Sequence, residues 1–324
     1  MRALADGRPR TAATLRAELG SAASELDAAI ETLRELGVDV VADSGGRLRL
    51  AAPVELLDAE TIRAALGERS RARLAALEVS LAVDSTNARL LDARSPTEGS
   101  ARALLAELQR AGRGRRGRAW VTPFGGSIAL SLSWTFGDAG RATPALSLAV
   151  GVAVARALQR HGAGGIGLKW PNDLWFADQK IGGILVEAKT EPRGAAQVVI
   201  GVGLNLSLSA DIRQAIEAQG VRVAAVADAS PRPVGRNALA ATLLDELLGM
   251  LETFEGLGFA AFRDEWSALD ALGGRAVRLL IGDGVVEGVS RGVDAEGALL
   301  IDSEGQLRRF VSGEASLRLG VGGT

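Results

Sequence analysis

Apolar residues recur at helical spacing along the first part of the chain, and two short alternating runs follow them. The helical spacing is carried by Leu15, Leu19, Leu26, Ile30, Leu33 and Leu36. The runs Gly37–Val41 and Arg47–Leu50 flank a glycine-containing turn and have the alternation of β-strands. Two helices followed by a β-hairpin predict a winged helix-turn-helix domain over residues 1–62. A connecting helix is expected at Leu57–Leu66.

Strand and helix patterns alternate from about residue 70 to residue 270. Strands are expected at Leu77–Val83, Ala103–Leu108, Ser127–Trp134, Ile166–Trp170, Gly183–Glu187 and Gln197–Leu206. Helices are expected at Thr86–Leu91, Leu146–His161 and Arg236–Leu257, the last with Asn237 as its cap. This alternation predicts an α/β domain around a mixed sheet over residues 67–269.

Short apolar runs separated by glycine turns fill residues 270–324. The expected strands are Ala276–Ile281, Val285–Gly292, Ala298–Ile301, Leu307–Phe310 and Ala315–Leu319. Short strands at this spacing predict a small β-barrel or sandwich. The three patterns together predict an α+β multidomain protein.

Composition excludes several kinds of chemistry. The 324 residues include no cysteine and one histidine, His161, which excludes thiol nucleophiles and disfavours histidine triads and metal sites. The net charge of −2 argues against a protein that coats nucleic acid or membrane along its whole length. No apolar run approaches the ~20 residues of a spanning helix, and the N-terminus lacks the apolar core of a signal peptide. A cytoplasmic protein without a membrane partner is expected.

Glycines and arginines are concentrated in the segment Gln109–Arg118. Its Gly112, Gly114 and Gly117 have the spacing of a dinucleotide fingerprint, but arginines follow where that motif opens a helix with small apolar residues. A disordered RNA-binding segment is an alternative, which one short copy does not favour. Because the glycines allow close backbone approach and the arginines neutralise phosphate, an anion-binding loop is predicted.

Lysine is rare in this chain, which uses arginine for almost every other positive charge. Of 37 basic residues, the lysines are Lys169, Lys180 and Lys189. The three lysines lie within residues 169–189, which indicates positions that need a compact charge. Lys169 to Asp173 should turn at a strand end, and a hairpin should then bring Lys180 near both residues. The alternative is a capped turn without a ligand role.

Two further segments combine a structural role with a possible ligand contact. Asp84 to Asn87 has the composition of a helix N-cap. Gly201 and Gly203 end an apolar strand just before Asn205, where glycine permits close backbone approach. His161 stands at a predicted helix end, where a dipole interaction is expected and no catalytic role.

In this order and spacing, these segments and Ser312–Arg318 resemble the biotin–protein ligases, specifically the bifunctional ligase/repressors. The resemblance covers nearly the whole chain. It implies a class II synthetase-like catalytic domain and an SH3-like C-terminal barrel. It also implies two half-reactions. Biotin's carboxylate first attacks the α-phosphorus of Mg·ATP, and a lysine of a biotin carboxyl carrier protein then displaces AMP from biotinyl-5′-adenylate.

The resemblance implies a set of roles for individual residues. The catalytic residues would be Lys180, Arg115 and Asp173. Biotin would be bound by Ser85, Thr86, Asn87, Gln109, Arg113, Gly114, Arg115, Lys180, Gly183, Leu185 and Gly201. The nucleotide would be bound by Arg115, Arg118, Lys169, Asn172, Asp173, Asn205 and Arg318. Magnesium would arrive with the nucleotide, and no protein ligand for it is assigned.

The chain departs from the pattern of the repressor-type members in two places. They often carry a tryptophan that stacks on adenine, whereas Gln219-Gly220 is followed here by Val221. The predicted recognition helix, Ala22 to Arg34, is acidic, and Arg47 and Arg49 in the wing are the other candidate DNA contacts. Residues 1–62 contain seven arginines and eleven carboxylates, which argues against strong DNA binding.

The implied partners are the carrier protein, a second copy of the chain when it is loaded with biotinyl-adenylate, and biotin operator DNA. Two alternatives stay open at this stage. The chain could chiefly be a DNA-binding regulator that senses the adenylate and has weak ligase activity. Octanoyl or lipoyl transferases have a related domain, but they would lack the arginine segment.

Overall fold

The computed structural model describes residues 1–20, 22–191 and 194–317. Its N-terminal region has two helices and a hairpin: α1 (Ala12–Leu19), α2 (Ala23–Glu35), β1 (Val40–Ala42) and β2 (Leu48–Leu50). Thr11 caps α1 by accepting a hydrogen bond from the Thr14 N–H, and Gly20 ends the helix at a φ of 62°. The order helix, helix, hairpin agrees with the sequence pattern, and its assignment as a winged helix-turn-helix stays a prediction.

Two helices connect this region to the central sheet, α3 (Ala59–Ala65) and α4 (Glu68–Arg73). The first agrees with the expected connecting helix, and the second was not predicted. Leu57, Ile62 and Leu66 are buried in the main hydrophobic core rather than in the N-terminal one. The connecting segment therefore packs as part of the central region.

The central sheet has seven strands in the order β3-β4-β5-β9-β8-β7-β6 within the described residues. The strands are β3 (Leu74–Val83), β4 (Ala101–Gln109), β5 (Ser127–Phe136), β6 (Ile166–Lys169), β7 (Asp173–Phe176), β8 (Gln179–Thr190) and β9 (Ala196–Asn205). The β3–β4 pair is parallel and the other pairs are antiparallel. The predicted mixed sheet is therefore confirmed.

Helices cover both faces of this sheet. The helices of the central region are α5 (Thr86–Asp92), α6 (Leu146–Arg160), α7 (Ala210–Glu217), α8 (Val226–Ala229), α9 (Arg236–Leu257) and α10 (Arg263–Ala268). Leu90 of α5 packs with Leu104 and Val199 in a cluster separate from the main core, which α6 and α9 share with the sheet. Every residue of β5 is buried as a result, which is typical of a strand covered on both sides.

Three local expectations need correction. β7 was not predicted as a strand, although the hairpin that it forms with β8 was. Helix α7 lies where no element was assigned. Asn237 does not cap α9, because the N-cap position is Gly235 and the Asn237 amide instead binds the backbone of Leu56 and Asp58.

A second sheet follows the central region. Its strands, in the order β13-β12-β11-β10-β14, are β10 (Ala276–Ile281), β11 (Gly284–Val293), β12 (Leu299–Ser303), β13 (Gln306–Phe310) and β14 (Glu314–Leu317). All pairs are antiparallel. The predicted SH3-like barrel is not closed, because β13 and β14 stand at opposite edges and do not pair within the described range. No described helix is long and apolar enough to cross a membrane.

Candidate active site

A cavity of about 950 Å³ opens where the central sheet, the arginine–glycine segment and the second sheet meet. Every predicted biotin- or nucleotide-contacting residue within the described part of the chain lines it. These residues are Ser85, Thr86, Asn87, Gln109, Arg113, Gly114, Arg115, Arg118, Lys169, Asn172, Asp173, Lys180, Gly183, Leu185, Gly201 and Asn205. Arg318 lies outside the described residues. The structure thus brings together segments that are far apart in sequence.

One end of the cavity is a buried network of amide and hydroxyl groups. Gln109 Oε1 accepts hydrogen bonds from the Thr86 N–H at 2.9 Å and the Thr86 hydroxyl at 3.1 Å. Ser131 Oγ lies 2.7 Å from Thr86 Oγ1 and 2.5 Å from Asn87 Oδ1. Ser85 caps α5 through the Ala88 N–H. These groups are held rigidly, so they can orient a polar ring that enters the cavity.

Ser131 did not appear among the predicted site residues. It is fully buried on β5 beside the candidate biotin contacts. The available signal was a polar residue repeated at alternate positions, Ser127, Ser131 and Ser133, within an otherwise apolar strand. Buried hydroxyl groups need hydrogen-bond partners, so they indicate a polar network on one face.

The arginine–glycine segment folds into a compact loop. The Trp120 N–H donates to the Gly112 carbonyl at 2.8 Å, and the Gly114 N–H donates to the Arg118 carbonyl at 2.7 Å. A Cβ on Gly112 would lie 2.4 Å from the Trp120 carbonyl oxygen, so only glycine fits there. Arg116 adopts a left-handed φ of 56°. This folding places the arginine side chains around the cavity.

Three arginines of the loop are anchored to three different elements. Arg115 Nη1 donates to Asn172 Oδ1 at 3.1 Å. Arg113 pairs with Glu187 on β8 at 3.5 Å. Arg118 pairs with Glu314 on β14 at 2.7 Å. Burial lowers the pKa of Arg115 from its ordinary value, which reflects a charge withdrawn from water and suited to an anionic ligand.

Lys169, Asp173 and Lys180 meet at the β6–β7–β8 edge of the cavity. Lys180 Nζ is 2.8 Å from Asp173 Oδ1, and Lys169 Nζ is 3.8 Å from Asp173 Oδ2. Burial lowers the pKa of Lys169, while the nearby Asp173 carboxylate opposes that effect. Lys169 also lies 4.7 Å from the centre of the Trp175 ring. The expected convergence of the two lysines on Asp173 is therefore observed.

Trp120 is a cavity residue that the sequence reasoning did not select. Lys180 Nζ lies 5.7 Å from the centre of its ring. A Cβ on Gly203 would approach that ring to 2.5 Å, so this glycine makes room for the indole. The indole N–H is buried without a hydrogen-bond partner among the described residues. An aromatic residue directly after an anion-binding loop was the signal that could have identified it.

The segment from Gln219 to Val223 closes another side of the cavity. The Lys180 N–H donates to the Arg222 carbonyl at 2.9 Å, and the Lys180 carbonyl accepts from the Ala224 N–H at 3.0 Å. Asn205 Nδ2 donates to the Ala224 carbonyl at 3.2 Å. Val221 therefore belongs to a segment that is fixed to the strand carrying Lys180.

Charge around the cavity is strongly unbalanced. Among the described lining residues, eight arginines and lysines face three carboxylates, Asp173, Asp178 and Glu314. Each carboxylate is paired with a basic side chain: Asp173 with Lys180, Asp178 with Arg275, and Glu314 with Arg118. The described residues contain no group of three or more metal-ligating side chains. The cavity suits a polyanion, and it offers no carboxylate set for a resident metal.

The candidate DNA contacts lie outside this cavity. Arg34 pairs with Glu31 at 3.7 Å and Arg47 with Asp43 at 2.8 Å. Arg49 donates to the carbonyls of Leu50 and Ala51. These arginines therefore already have partners within the N-terminal region.

Comparisons with known proteins agree with this geometry. The Biotin/lipoate A/B protein ligase family matches residues 80–205, and the Biotin protein ligase C terminal domain matches residues 272–318. The chain is 40% identical over 315 residues to the bifunctional ligase/repressor BirA of Escherichia coli (strain K12), covering 97% of this chain and 95% of that protein. This chain belongs to the biotin protein ligases.

Two further relatives support the assignment of the ligase. A biotin–[acetyl-CoA-carboxylase] ligase of Mycobacterium tuberculosis (strain ATCC 25618 / H37Rv) is 34% identical over 235 residues, covering 71% of this chain and 84% of that protein. The solved biotin protein ligase of Aquifex aeolicus in complex with biotin and ATP has a TM-score of 0.60 and 26% identity, covering 76% of this chain and 98% of that one. The predicted enzyme class is confirmed.

Proposed function

We propose that this enzyme condenses biotin with ATP to form biotinyl-5′-adenylate and then transfers biotin to a lysine of a biotin carboxyl carrier protein. The observation that carries the proposal is the meeting of Arg115, Lys180 and Asp173 in one cavity beside the Thr86–Gln109 network. That arrangement provides an orienting site for a polar ring next to concentrated positive charge. The solved relative with biotin and ATP bound supports the same pair of ligands.

Biotin is assigned to the amide and hydroxyl end of the cavity. Its ureido ring has N–H donors and a carbonyl acceptor, which match the side chains of Ser85, Thr86 and Gln109. Gly183, Gly201 and Leu185 line the same wall, where Gly201 leaves room for the Asn87 side chain. The valeryl carboxylate then extends toward Arg113, Gly114 and Arg115. This direction brings the nucleophile to the basic part of the cavity.

ATP is assigned to the opposite end. Lys169, Asn172 and Asn205 line that part, together with Arg118 from the loop and Val221 from the closing segment. Arg318 is proposed to contribute from the C-terminal region. Eight lining cations against three carboxylates suit a substrate pair with several negative charges. We assign magnesium to the ATP phosphates, because every lining carboxylate is already paired with a basic residue.

Catalysis in this proposal depends on position and charge. In the first step, a carboxylate oxygen of biotin attacks the α-phosphorus and pyrophosphate leaves. Lys180 stabilises the negative charge that builds on the phosphate oxygens, and Asp173 keeps Lys180 oriented. In the second step, the carrier lysine amine attacks the acyl carbon, AMP leaves and the amine loses a proton. The substrates supply both nucleophiles, so the enzyme needs none of its own.

The experiment that tests this function measures biotin transfer to a carrier domain with ATP and, in parallel, without it. Transfer and pyrophosphate release that both require ATP would support the proposal. Carrier labelling in the absence of ATP, or adenylate formation without transfer, would contradict it. The second result would favour the alternative of an adenylate-sensing regulator with weak ligase activity.

Repression of a biotin operon is a second candidate function. The relative from Escherichia coli is named a bifunctional ligase/repressor, and its likeness covers nearly the whole chain. The N-terminal region has the helix, helix, hairpin order of a winged helix-turn-helix. We propose weak, adenylate-dependent binding to operator DNA by a homodimer, with the helix Ala22–Arg34, Arg47 and Arg49 as the contacts. A cytoplasmic location is part of the same proposal.

A further inference from the structure

A polar cluster with a buried centre ties the connecting segment to the strands that line the cavity, and the proposed chemistry makes no use of it. We call this cluster the linker junction. It consists of the segment Glu55–Asp58 together with Glu107, Arg236 and Asn237. Glu107 lies on β4, and the other two side chains lie at the start of α9. The junction therefore joins three parts of the chain that are far apart in sequence.

An ion pair lies at the centre of the linker junction. Glu107 and Arg236 are 3% and 4% exposed. Arg236 Nη1 donates to Glu107 Oε2 at 2.7 Å and to the Glu55 carbonyl at 2.8 Å. The other Glu107 oxygen accepts from the Leu57 N–H at 2.6 Å. Buried charges persist only when they are well paired, so the connecting segment is needed to complete this site.

Glu55 caps helix α9 from outside the helix. Its carboxylate accepts hydrogen bonds from the backbone N–H groups of Arg236 at 2.6 Å and Asn237 at 3.2 Å. It also accepts from Asn237 Nδ2 at 2.8 Å. A carboxylate is favourable at a helix N-terminus, because the first N–H groups have no partner within the helix. This contact explains why α9 begins without a cap from its own sequence.

The same junction reaches both ends of the candidate active site. Glu107 stands two residues before Gln109 on β4. Arg236 Nη2 donates to the Ser127 carbonyl at 2.9 Å, and Ser127 is the register partner of Asn205. One cluster thus holds the end of β4, which carries a candidate biotin contact, and the start of β5, which pairs with the end of β9 that carries a candidate nucleotide contact.

Packing of the N-terminal region reinforces this hold. Leu108, which separates Glu107 from Gln109, is buried in the N-terminal hydrophobic cluster with Val54 and Phe124 against it. A Cβ on Gly125 would approach Val54 Cγ1 to 2.7 Å, so the loop that follows Trp120 lies directly against the connecting segment. A displacement of the connecting segment would therefore shift β4 and this loop.

We propose that Glu55 and Asn237 are positioning residues of the ligase. Through the linker junction they fix the end of β4 and the start of β5, so that Gln109 on β4 and Asn205 on the neighbouring β9 are preorganised for biotin and ATP. This inference rests on the proposed function. It also places the boundary of the catalytic unit before residue 55 rather than after residue 62, because Leu57 and Ile62 belong to its core.

The test uses point variants of the full chain. Glu55→Ala removes the carboxylate from an exposed residue. Glu55→Gln keeps one acceptor oxygen, which can accept the two hydrogen bonds from Asn237 but not, at the same time, the one from the Arg236 N–H. Glu60→Ala is the matched control, because Glu60 is a nearby exposed carboxylate with no side-chain partner in the described part of the chain. We expect Glu55→Ala to raise KM for biotin and ATP about tenfold with little change in kcat. Glu55→Gln should recover part of that loss, because it keeps the two hydrogen bonds from Asn237.

Two more measurements complete the experiment: calorimetry gives the affinity for biotin, and thermal unfolding gives the melting temperature. Asn237→Ala is a second variant in case Glu55→Ala does not fold. Loss of the Glu55 cap should lower the melting temperature somewhat. Weaker biotin binding at temperatures well below the melting transition supports a positioning role. Unchanged KM values in both junction variants, or equal losses in Glu55→Ala and Glu60→Ala, would overturn it. A wild-type enzyme that binds biotin but does not transfer it would contradict the proposed function and not the role of the linker junction. The effect of the variants on biotin binding would still test that role.

Discussion

Positive charge is used in opposite ways by the cavity and by the N-terminal region. Among the described residues around the cavity, eight basic side chains face three carboxylates. In residues 1–62, seven arginines stand among eleven carboxylates. The cavity gathers cations from separate segments of the chain and leaves them in excess. The N-terminal region distributes its arginines among acids that are close in sequence.

The causes of the pKa shifts also differ between the cavity and the N-terminal region. Burial lowers the pKa of Lys169, so its charge is held at a cost that a bound anion would relieve. In the N-terminal region, the hydrogen bond from Arg10 is the main cause that lowers the pKa of Asp6 to about 2. Exposed pairs of this kind contribute little to stability. An excess of cations gathered around one cavity therefore indicates a ligand, whereas a count of surface arginines does not.

The largest expected effect is at Lys180. Lys180→Ala should lower the rate of adenylate formation about 10²–10³-fold, because a preorganised charge next to the reacting phosphate is lost. Pyrophosphate release measures this step directly. Lys189→Ala is the control, since Lys189 lies at the far end of β8 and does not line the cavity. Near-normal pyrophosphate release by Lys180→Ala would contradict the assignment of the cavity to this chemistry.

Arg115 should affect retention of the intermediate more than its formation. Arg115→Gly removes a half-buried charge and the contact with Asn172, so the loop should hold biotinyl-adenylate less tightly. We expect release of the adenylate to accelerate about 10–100-fold, in line with the loss of a charge-assisted hydrogen bond. Streptavidin blots of a protein mixture should then show labelling of bystander proteins. Labelling still confined to the carrier would mean that another residue retains the adenylate.

Much of this site was predictable because anion binding needs particular residue types. Arginines between glycines and rare lysines at a strand end indicated residues that the structure brings together around one cavity. Ser131 and Trp120 were missed because their importance depends on which strands become neighbours. The same limit applies to Asn237, whose partners are about 180 residues away along the chain.

The fold shows a similar division. The alternating runs of the second sheet predicted its strands to within a few residues, since alternation is a local property. Closure into a barrel was not borne out, because it requires pairing between edge strands that local pattern does not specify. β7 is only four residues long, and the apolar stripe of α7 rests on Ile212 and Ile216 alone, so each pattern is too short to identify the element.

Val221 offers a test of how tightly the cavity holds the adenylate. It lines the cavity in a segment that is bonded to Lys180, but it cannot stack on adenine. Val221→Trp should slow dissociation of the adenylate about tenfold, consistent with the 1–3 kcal/mol of a base–aromatic stack. Stopped-flow measurements of the off-rate test this. The control is Val221→Leu, which enlarges the side chain without adding an aromatic ring. Val223→Trp cannot serve as the control, because Val223 is buried. An unchanged off-rate would indicate that Val221 lies away from adenine.

The pH dependence of the reaction should report on Lys169. Its pKa lies below the ordinary lysine value because of burial, and Asp173 raises it. If charged Lys169 is required, kcat/KM falls as pH rises through that lowered pKa. Asp173→Asn removes the opposing carboxylate, so the alkaline limb should move to lower pH. Asp178→Asn, which changes a carboxylate paired with Arg275, should leave the limb in place. An unmoved limb in Asp173→Asn would show that Lys169 does not set it.

The smallest effect is expected for DNA. Five of the seven arginines in residues 1–62 pair with carboxylates, within the part of the chain that the structure describes. Those pairs are weak, so a phosphate can displace them, but each freed carboxylate then repels the same phosphate. On α2, Glu25, Asp27 and Glu31 are exposed. We expect weak binding to a biotin-operon promoter, with a shallow salt dependence of about −0.9 in log–log slope for each phosphate contact.

Charge variants on α2 test whether its acidic residues weaken DNA binding. Asp27→Lys and Glu31→Lys on α2 should tighten promoter binding and steepen the salt dependence, because each adds a cation to the face proposed to meet phosphate. Glu60→Lys adds the same charge on α3 and should change neither. Gel-shift titrations with biotin and ATP present measure all three against the wild type. Nanomolar binding by the wild type at physiological salt would contradict the argument, because it would mean that a region with four more carboxylates than arginines still presents a strongly basic face to DNA.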